Sequence, residues 1–215
     1  MLSHTASIAT RKICGLAPII PVLVVHDVAH ARPLAEALVA GGLPVLEVTL
    51  RSDAALAVIA EMAMVEGGVV GAGTLLTSDD VKRARDAGAT FGVSPGATEM
   101  LLTACEDADL PTLPGAATAT EAMRLLERGY DMMKFFPAEA SGGAPALKSL
   151  ASPLPQISFC PTGGVSMTNA RSYLALPNVA CAGGSWVAPD ALVQAGDWSA
   201  ITDLARAASQ LSRDA

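Results

Sequence analysis

Short apolar or glycine-rich runs alternate with Ala/Leu-rich stretches along the whole chain, and this rhythm limits the folds open to it. Strands are predicted at 19–25, 45–50, 69–74, 91–95, 112–115, 132–137, 157–163 and 179–184. Helices are predicted between and after them at 28–40, 53–65, 78–87, 98–107, 120–128, 146–150, 168–174 and 198–211. Ser78 and Thr120 are read as N-caps, and Gly41, Gly88 and Gly129 as residues just past helix C-termini. Strand starts recur every 20 to 26 residues. Eight such units in 215 residues predict an α/β chain folded as a single-domain TIM (β/α)8 barrel over 1–215, with a short N-terminal helix at about 3–13. A doubly wound open sheet usually has fewer strands and leaves the eightfold rhythm unexplained.

A barrel places its chemistry at the C-terminal ends of the strands. Those ends hold the polar residues and glycines: Glu47-Val48-Thr49-Leu50-Arg51, Gly71-Ala72-Gly73-Thr74, Ser94-Pro95-Gly96, Lys134-Phe135-Phe136-Pro137, Pro161-Thr162-Gly163-Gly164 and Gly183-Gly184-Ser185-Trp186. Lys134 is the sharpest of these signals, a lone lysine in the apolar run Met132-Met133-Lys134-Phe135-Phe136. Burial disfavours a charged amine, and a neutral amine attacks ketones, so the run predicts a Schiff-base lysine. The alternative is a lysine that snorkels from the strand end or pairs with a carboxylate.

In the second strand, alternation puts Glu47, Thr49 and Arg51 on one face and Leu46, Val48 and Leu50 on the other. The apolar set suits the helices, so the polar set is expected to point into the barrel. Opposite charges there are costly unless they pair or act. Glu47 then serves as general acid/base and Arg51 as a carboxylate clamp; the competing reading is a structural Glu47/Arg51 pair. Thr74 either offers its hydroxyl to a substrate carboxylate or caps the next turn.

Two Gly-Gly pairs, Gly163-Gly164 and Gly183-Gly184, end the last two strands, and Ser185 follows the second. Loops at these positions of a TIM barrel often bind phosphate, although glycines can also merely shape tight turns. Gly71-Ala72-Gly73 lacks the third glycine of a dinucleotide fingerprint.

His4, His26 and His30 all lie at or before the first predicted helix of the barrel, away from the strand ends, and no His/Cys/carboxylate spacing suggests a metal site. No cofactor is expected, because an imine on Lys134 would itself be the electron sink. Net charge is −7 and the basic residues are scattered, which argues against nucleic acid as a partner. Cys14, Cys105, Cys160 and Cys181 are far apart, form no CxxC pair, and read as reduced thiols of a cytoplasmic protein. Arg11-Lys12 before the apolar stretch 13–25 has the outline of a signal peptide, but Pro18 and Pro21 interrupt it and cleavage would remove the first core strand. No apolar run reaches the length of a membrane span, so a soluble, cytoplasmic chain is expected.

Taken together, these motifs resemble those of the KDPG/KHG aldolase family of class I aldolases, over nearly the whole chain and through to Lys134-Phe135-Phe136-Pro137-Ala138-Glu139 and Gly184-Ser185-Trp186. The resemblance implies cleavage of 2-keto-3-deoxy-6-phosphogluconate to pyruvate and glyceraldehyde 3-phosphate, a step of the Entner-Doudoroff pathway. It implies Lys134 as the Schiff-base lysine and Glu47 as the acid/base. Arg51 and Thr74 would contact the pyruvate carboxylate, with Pro95, Phe136 and Thr162 lining the substrate pocket. Gly163, Gly164, Gly184 and Ser185 would hold phosphate, and the assembly would be a homotrimer. Two departures, Ser52 where threonine is expected and Ala182 where glycine or valine is more usual, bear on substrate preference. Related activities on 4-hydroxy-2-oxoglutarate or the galactonate epimer remain alternatives, as does a non-catalytic sugar-phosphate-binding barrel.

Overall fold

The structure, a computed structural model, describes residues 3–211. Nine strand segments run through it: β1 (Ile19–Leu23), β2 (Val45–Thr49), β3 (Val69–Gly73), β4 (Phe91–Val93), β5 (Thr112–Leu113), β6 (Gly115–Ala116), β7 (Met132–Phe135), β8 (Ser158–Pro161) and β9 (Ala182–Gly184). They pair in the orders β5-β4-β3-β2-β1-β9 and β6-β7-β8, with every ladder parallel. Pro114 lacks an N–H and splits one barrel strand into β5 and β6. Parallel bridges Phe159↔Val179 and Thr162↔Gly183 join β8 to β9, so the sheet closes into the expected eightfold barrel.

Alternation along the strands divides the core into two layers. Ile20, Val45, Phe91, Val93, Leu113, Met132, Cys160 and Cys181 fill the inside together with Cys14. Ile19, Leu23, Leu46 and Val48 face the helices and pack among Leu34, Leu38, Ile59 and Met62. Because both faces are buried, the strands read as continuous apolar runs, which is why they are visible in the sequence.

Ten helices surround the barrel among the described residues: α1 (Ser3–Cys14), α2 (Ala31–Ala40), α3 (Ala55–Met62), α4 (Ser78–Asp86), α5 (Glu99–Asp107), α6 (Ala119–Arg128), α7 (Gly143–Ala151), α8 (Ala170–Leu174), α9 (Asp190–Ala195) and α10 (Trp198–Ser209). None is long and apolar enough to cross a membrane. Helix α1 is tied to the N-terminal end of the barrel. Arg11 donates to Ser158 Oγ at 2.8 Å and to the Asp131 carbonyl at 2.9 Å, and Asp131 N–H donates to Ser7 Oγ at 2.9 Å. With Cys14 inserted in the inner layer, α1 stoppers that end. The opposite end stays open.

Several expectations need correction. The N-caps of α4 and α6 are Thr77 and Thr118, not Ser78 and Thr120, and both form complete capping boxes with Asp80 and Glu121. Each cap therefore lies N-terminal to the residue chosen from sequence. Residues 28–40 do not form one helix: a 3-10 turn at Val28–His30 precedes α2. Helix α9 has no counterpart among the helices expected from the sequence. All four cysteines are buried and unpaired, but they are not all far apart in space. Cys14, Cys160 and Cys181 meet in the inner layer, and hydrogen bonding to its two neighbours, with burial, holds the Cys181 thiol well above its ordinary range.

Candidate active site

At the open end lies a cavity of about 270 Å³, near the small end of the range for ligand pockets. Its floor is an ion pair. Lys134, the third residue of β7, and Glu47, the third residue of β2, point inward from strands far apart around the ring, and Nζ stands 3.2 Å from Oε1. Their residues are 6% and 3% exposed. Such a pair buried in a dry core would gain little over apolar side chains of the same size. Here both groups line a cavity that a ligand can enter. The Phe136 ring adds an apolar, electron-rich wall, with its centroid 5.2 Å from Nζ.

Glycine at position 73 makes room for the carboxylate. A Cβ there would lie 2.4 Å from Glu47 Oε1 and 2.7 Å from Glu47 Cγ, closer than real side chains pack. β3 therefore passes tightly beside Glu47 and limits where its carboxyl can sit.

Arg51 departs from the simple alternation. β2 ends at Thr49, and Arg51 N–H folds back to the Thr49 carbonyl at 2.8 Å in a γ-turn. Arg51 is thus exposed at the mouth and not enclosed with Glu47, though it still lines the cavity. The structural Glu47/Arg51 pair is replaced by Glu47–Lys134. Thr74 is a β-branched residue with φ 63°, a left-handed conformation that costs on the order of 1–3 kcal/mol and gathers at functional sites. It lines the cavity, and the cap of the following helix is Thr77.

The opposite wall is built by the last two strand ends. Gly163 and Gly164 have φ of 100° and 80°, conformations that exclude ordinary side chains and occur in the concave turns that accept anions. The loop is fixed from outside. Glu139 N–H donates to the Gly163 carbonyl at 3.0 Å, and Asn169 Nδ2 donates to the Gly164 carbonyl at 3.0 Å. The Glu139 carboxylate accepts from the buried Tyr173 hydroxyl; burial and that carboxylate push the Tyr173 phenol up, so it remains a donor.

Every residue singled out from the sequence, Lys134, Glu47, Arg51, Thr74, Pro95, Phe136, Thr162, Gly163, Gly164, Gly184 and Ser185, lines this one cavity. Gly183, from the second glycine pair, lines it with them, and so do Val22, Thr49 and Val165, to which the sequence reading assigns no role. Val22 had a signal in its register opposite Glu47, which becomes usable only once β1 and β2 are paired.

The family model described as KDPG and KHG aldolase matches residues 10–204. The chain is 50% identical over 202 residues to the 2-dehydro-3-deoxy-phosphogluconate aldolase of Pseudoalteromonas atlantica, covering 94% of each chain. It superposes on the 2-keto-3-deoxy-6-phosphogluconate aldolase of Zymomonas mobilis, solved with 3-phosphoglycerate, with a TM-score of 0.89 at 50% identity, over 94% of this chain and 96% of the other. A KDPG aldolase from Legionella pneumophila, solved with pyruvate captured at low pH as a covalent carbinolamine intermediate, gives a TM-score of 0.90 at 44% identity, over 93% and 98% of the two chains.

Proposed function

The chain belongs to the KDPG and KHG aldolase family, and on that footing we propose that it cleaves 2-keto-3-deoxy-6-phosphogluconate to pyruvate and glyceraldehyde 3-phosphate as a class I aldolase. The observation that carries this reading is the Lys134–Glu47 pair, an amine and a carboxylate 3.2 Å apart on the floor of an open cavity.

Lys134 passes its ammonium proton to Glu47 and the neutral Nζ attacks the C2 ketone to give a carbinolamine; Glu47 returns the proton to the departing hydroxyl, and loss of water gives an iminium. Glu47, through a water, takes the proton of the C4 hydroxyl. The C3–C4 bond breaks, its electrons pass into the iminium, and glyceraldehyde 3-phosphate leaves. The resulting enamine takes a proton from Glu47 at C3, and hydrolysis releases pyruvate and regenerates the amine. Covalent attachment thus replaces a carbanion by a neutral enamine. Arg51 and Thr74 hold the substrate carboxylate, Pro95, Phe136 and Thr162 shape the pocket, and Gly163, Gly164, Gly184 and Ser185 take the phosphate.

Substrate preference tests the phosphate half of this reading. With pyruvate release coupled to its reduction, kcat/KM for 2-keto-3-deoxy-6-phosphogluconate is expected to exceed that for 4-hydroxy-2-oxoglutarate, which has no phosphate to place on the glycine wall. Equal or reversed values would contradict it. Gly73→Ala tests the placement of Glu47. A displaced carboxylate should slow exchange of the pyruvate methyl protons with solvent by roughly 10²-fold, the cost of a misplacement near 1 Å. Exchange at the wild-type rate, followed by NMR, would show that β3 does not set the position of Glu47.

A cytoplasmic location, a homotrimeric assembly and a step in Entner-Doudoroff sugar-acid breakdown belong to the same reading. The buried, unpaired cysteines suit a reducing compartment. Leu76, Met100 and Met123, exposed on successive βα units, offer apolar surface for a neighbouring copy to cover.

A further inference from the structure

We infer that Thr49 is a positioning residue that locks the Arg51 guanidinium into the orientation that receives the substrate carboxylate; this rests on the reading of Arg51 as the carboxylate contact. Thr49 is 2% exposed, lies between Glu47 and Arg51 in sequence, and lines the cavity. Its hydroxyl makes two hydrogen bonds whose directions are fixed. The O–H donates to the Leu23 carbonyl at the end of β1 at 2.8 Å, so an oxygen lone pair is left to accept Arg51 Nε–H at 3.1 Å. Arginine can only donate, which makes this the sole consistent arrangement.

The consequences follow from the shape of the guanidinium. With Nε–H committed to Thr49, the edge carrying the two terminal nitrogens remains for a carboxylate, which it can grip with two parallel N–H groups. The γ-turn adds a second tie to the same residue through the Arg51 N–H. Backbone and side chain of Arg51 are therefore both braced on Thr49, and Thr49 is braced on β1. The brace has a competitor. Arg51 also lines an adjoining polar pocket that contains Asp53 and Asp80. Asp80 already accepts from the Leu76 and Thr77 N–H groups and Arg83 shares the pocket, which leaves Asp53 as the carboxylate that would draw the guanidinium from the barrel mouth once the Thr49 acceptor is gone.

Thr49→Val keeps the side-chain shape and removes the acceptor. It should raise KM for the keto-acid substrate roughly tenfold or more, as loss of a hydrogen bond to a charged group does, while kcat changes less because Lys134 and Glu47 are untouched. Thr49→Ser, which restores the hydroxyl, should bring KM back toward the wild-type value. A role confined to packing would not give this split or this rescue. In an Arg51→Met background, Thr49→Val should add no further rise in KM, because the group it positions is gone. Should Thr49→Val fail to fold, Thr49→Ala takes its place in the same cycle. An unchanged KM in the single variant, or the same increment with and without Arg51, would overturn the inference and leave the role of Arg51 standing. An unchanged KM in Arg51→Met alone would overturn the carboxylate reading and this inference with it.

Discussion

Lys134→Arg is expected to abolish imine formation and to lower turnover by roughly 10⁴-fold or more, the scale seen when a covalent nucleophile is removed. Arginine is the informative replacement because it preserves positive charge beside Glu47. Removing the charge altogether would leave a carboxylate 3% exposed without its cation, and breaking a buried pair from one side costs about 3–5 kcal/mol. Loss of activity could then reflect loss of fold. A guanidinium keeps the pairing but is protonated at every accessible pH and has no lone pair to offer a ketone. Release of pyruvate from the phosphorylated keto acid, followed continuously with protein of verified fold, measures the effect. Turnover near wild type would remove Lys134 from the chemistry.

Glu47→Gln should separate proton transfer from covalent attachment. The amide still accepts a hydrogen bond from Lys134 Nζ, so the lysine keeps a polar partner at the present 3.2 Å contact. It cannot take up or deliver a proton. Exchange of the pyruvate methyl protons should fall by about 10²–10⁴-fold, the usual worth of a general acid/base, while borohydride still traps pyruvate on the enzyme. Exchange that proceeds unaffected would take Glu47 out of the mechanism.

Much of this architecture is legible in the sequence because a closed parallel sheet buries both strand faces. Apolar runs such as Ile19–Leu23 and Val45–Thr49 stand out for that reason. Boundaries are less visible. Thr77 and Thr118 compete as caps with neighbouring hydroxyl residues Ser78 and Thr120, and only the hydrogen bonds to Asp80 N–H and Glu121 N–H decide between them. Pro114 breaks a strand that reads as continuous, and the six-residue α9 (Asp190–Ala195) is too short for a periodic signal.

The same contrast holds at the site. Lys134 announces itself as a lone cation in an apolar run, and Glu47 as a carboxylate on the inward face of a strand. Their meeting across 87 residues is a product of barrel closure, which no local pattern contains. Strict alternation encloses Arg51, because it has no term for the γ-turn that brings its N–H back to Thr49. The same alternation places Thr49 on the inward face. Its purpose emerges only when the Leu23 carbonyl and Arg51 Nε are seen on either side of one hydroxyl.

Borohydride reduction of the wild-type protein with pyruvate, followed by peptide mass mapping, tests the central claim most directly. Lys12, Lys82 and Lys148 are exposed, and Lys134 alone among the lysines is buried, on the cavity floor. The predicted result is a pyruvate-sized adduct confined to the peptide that carries Lys134. No adduct, or one distributed over the exposed lysines, would contradict a Schiff-base mechanism and turn the reading to a barrel that binds sugar phosphates without cleaving them.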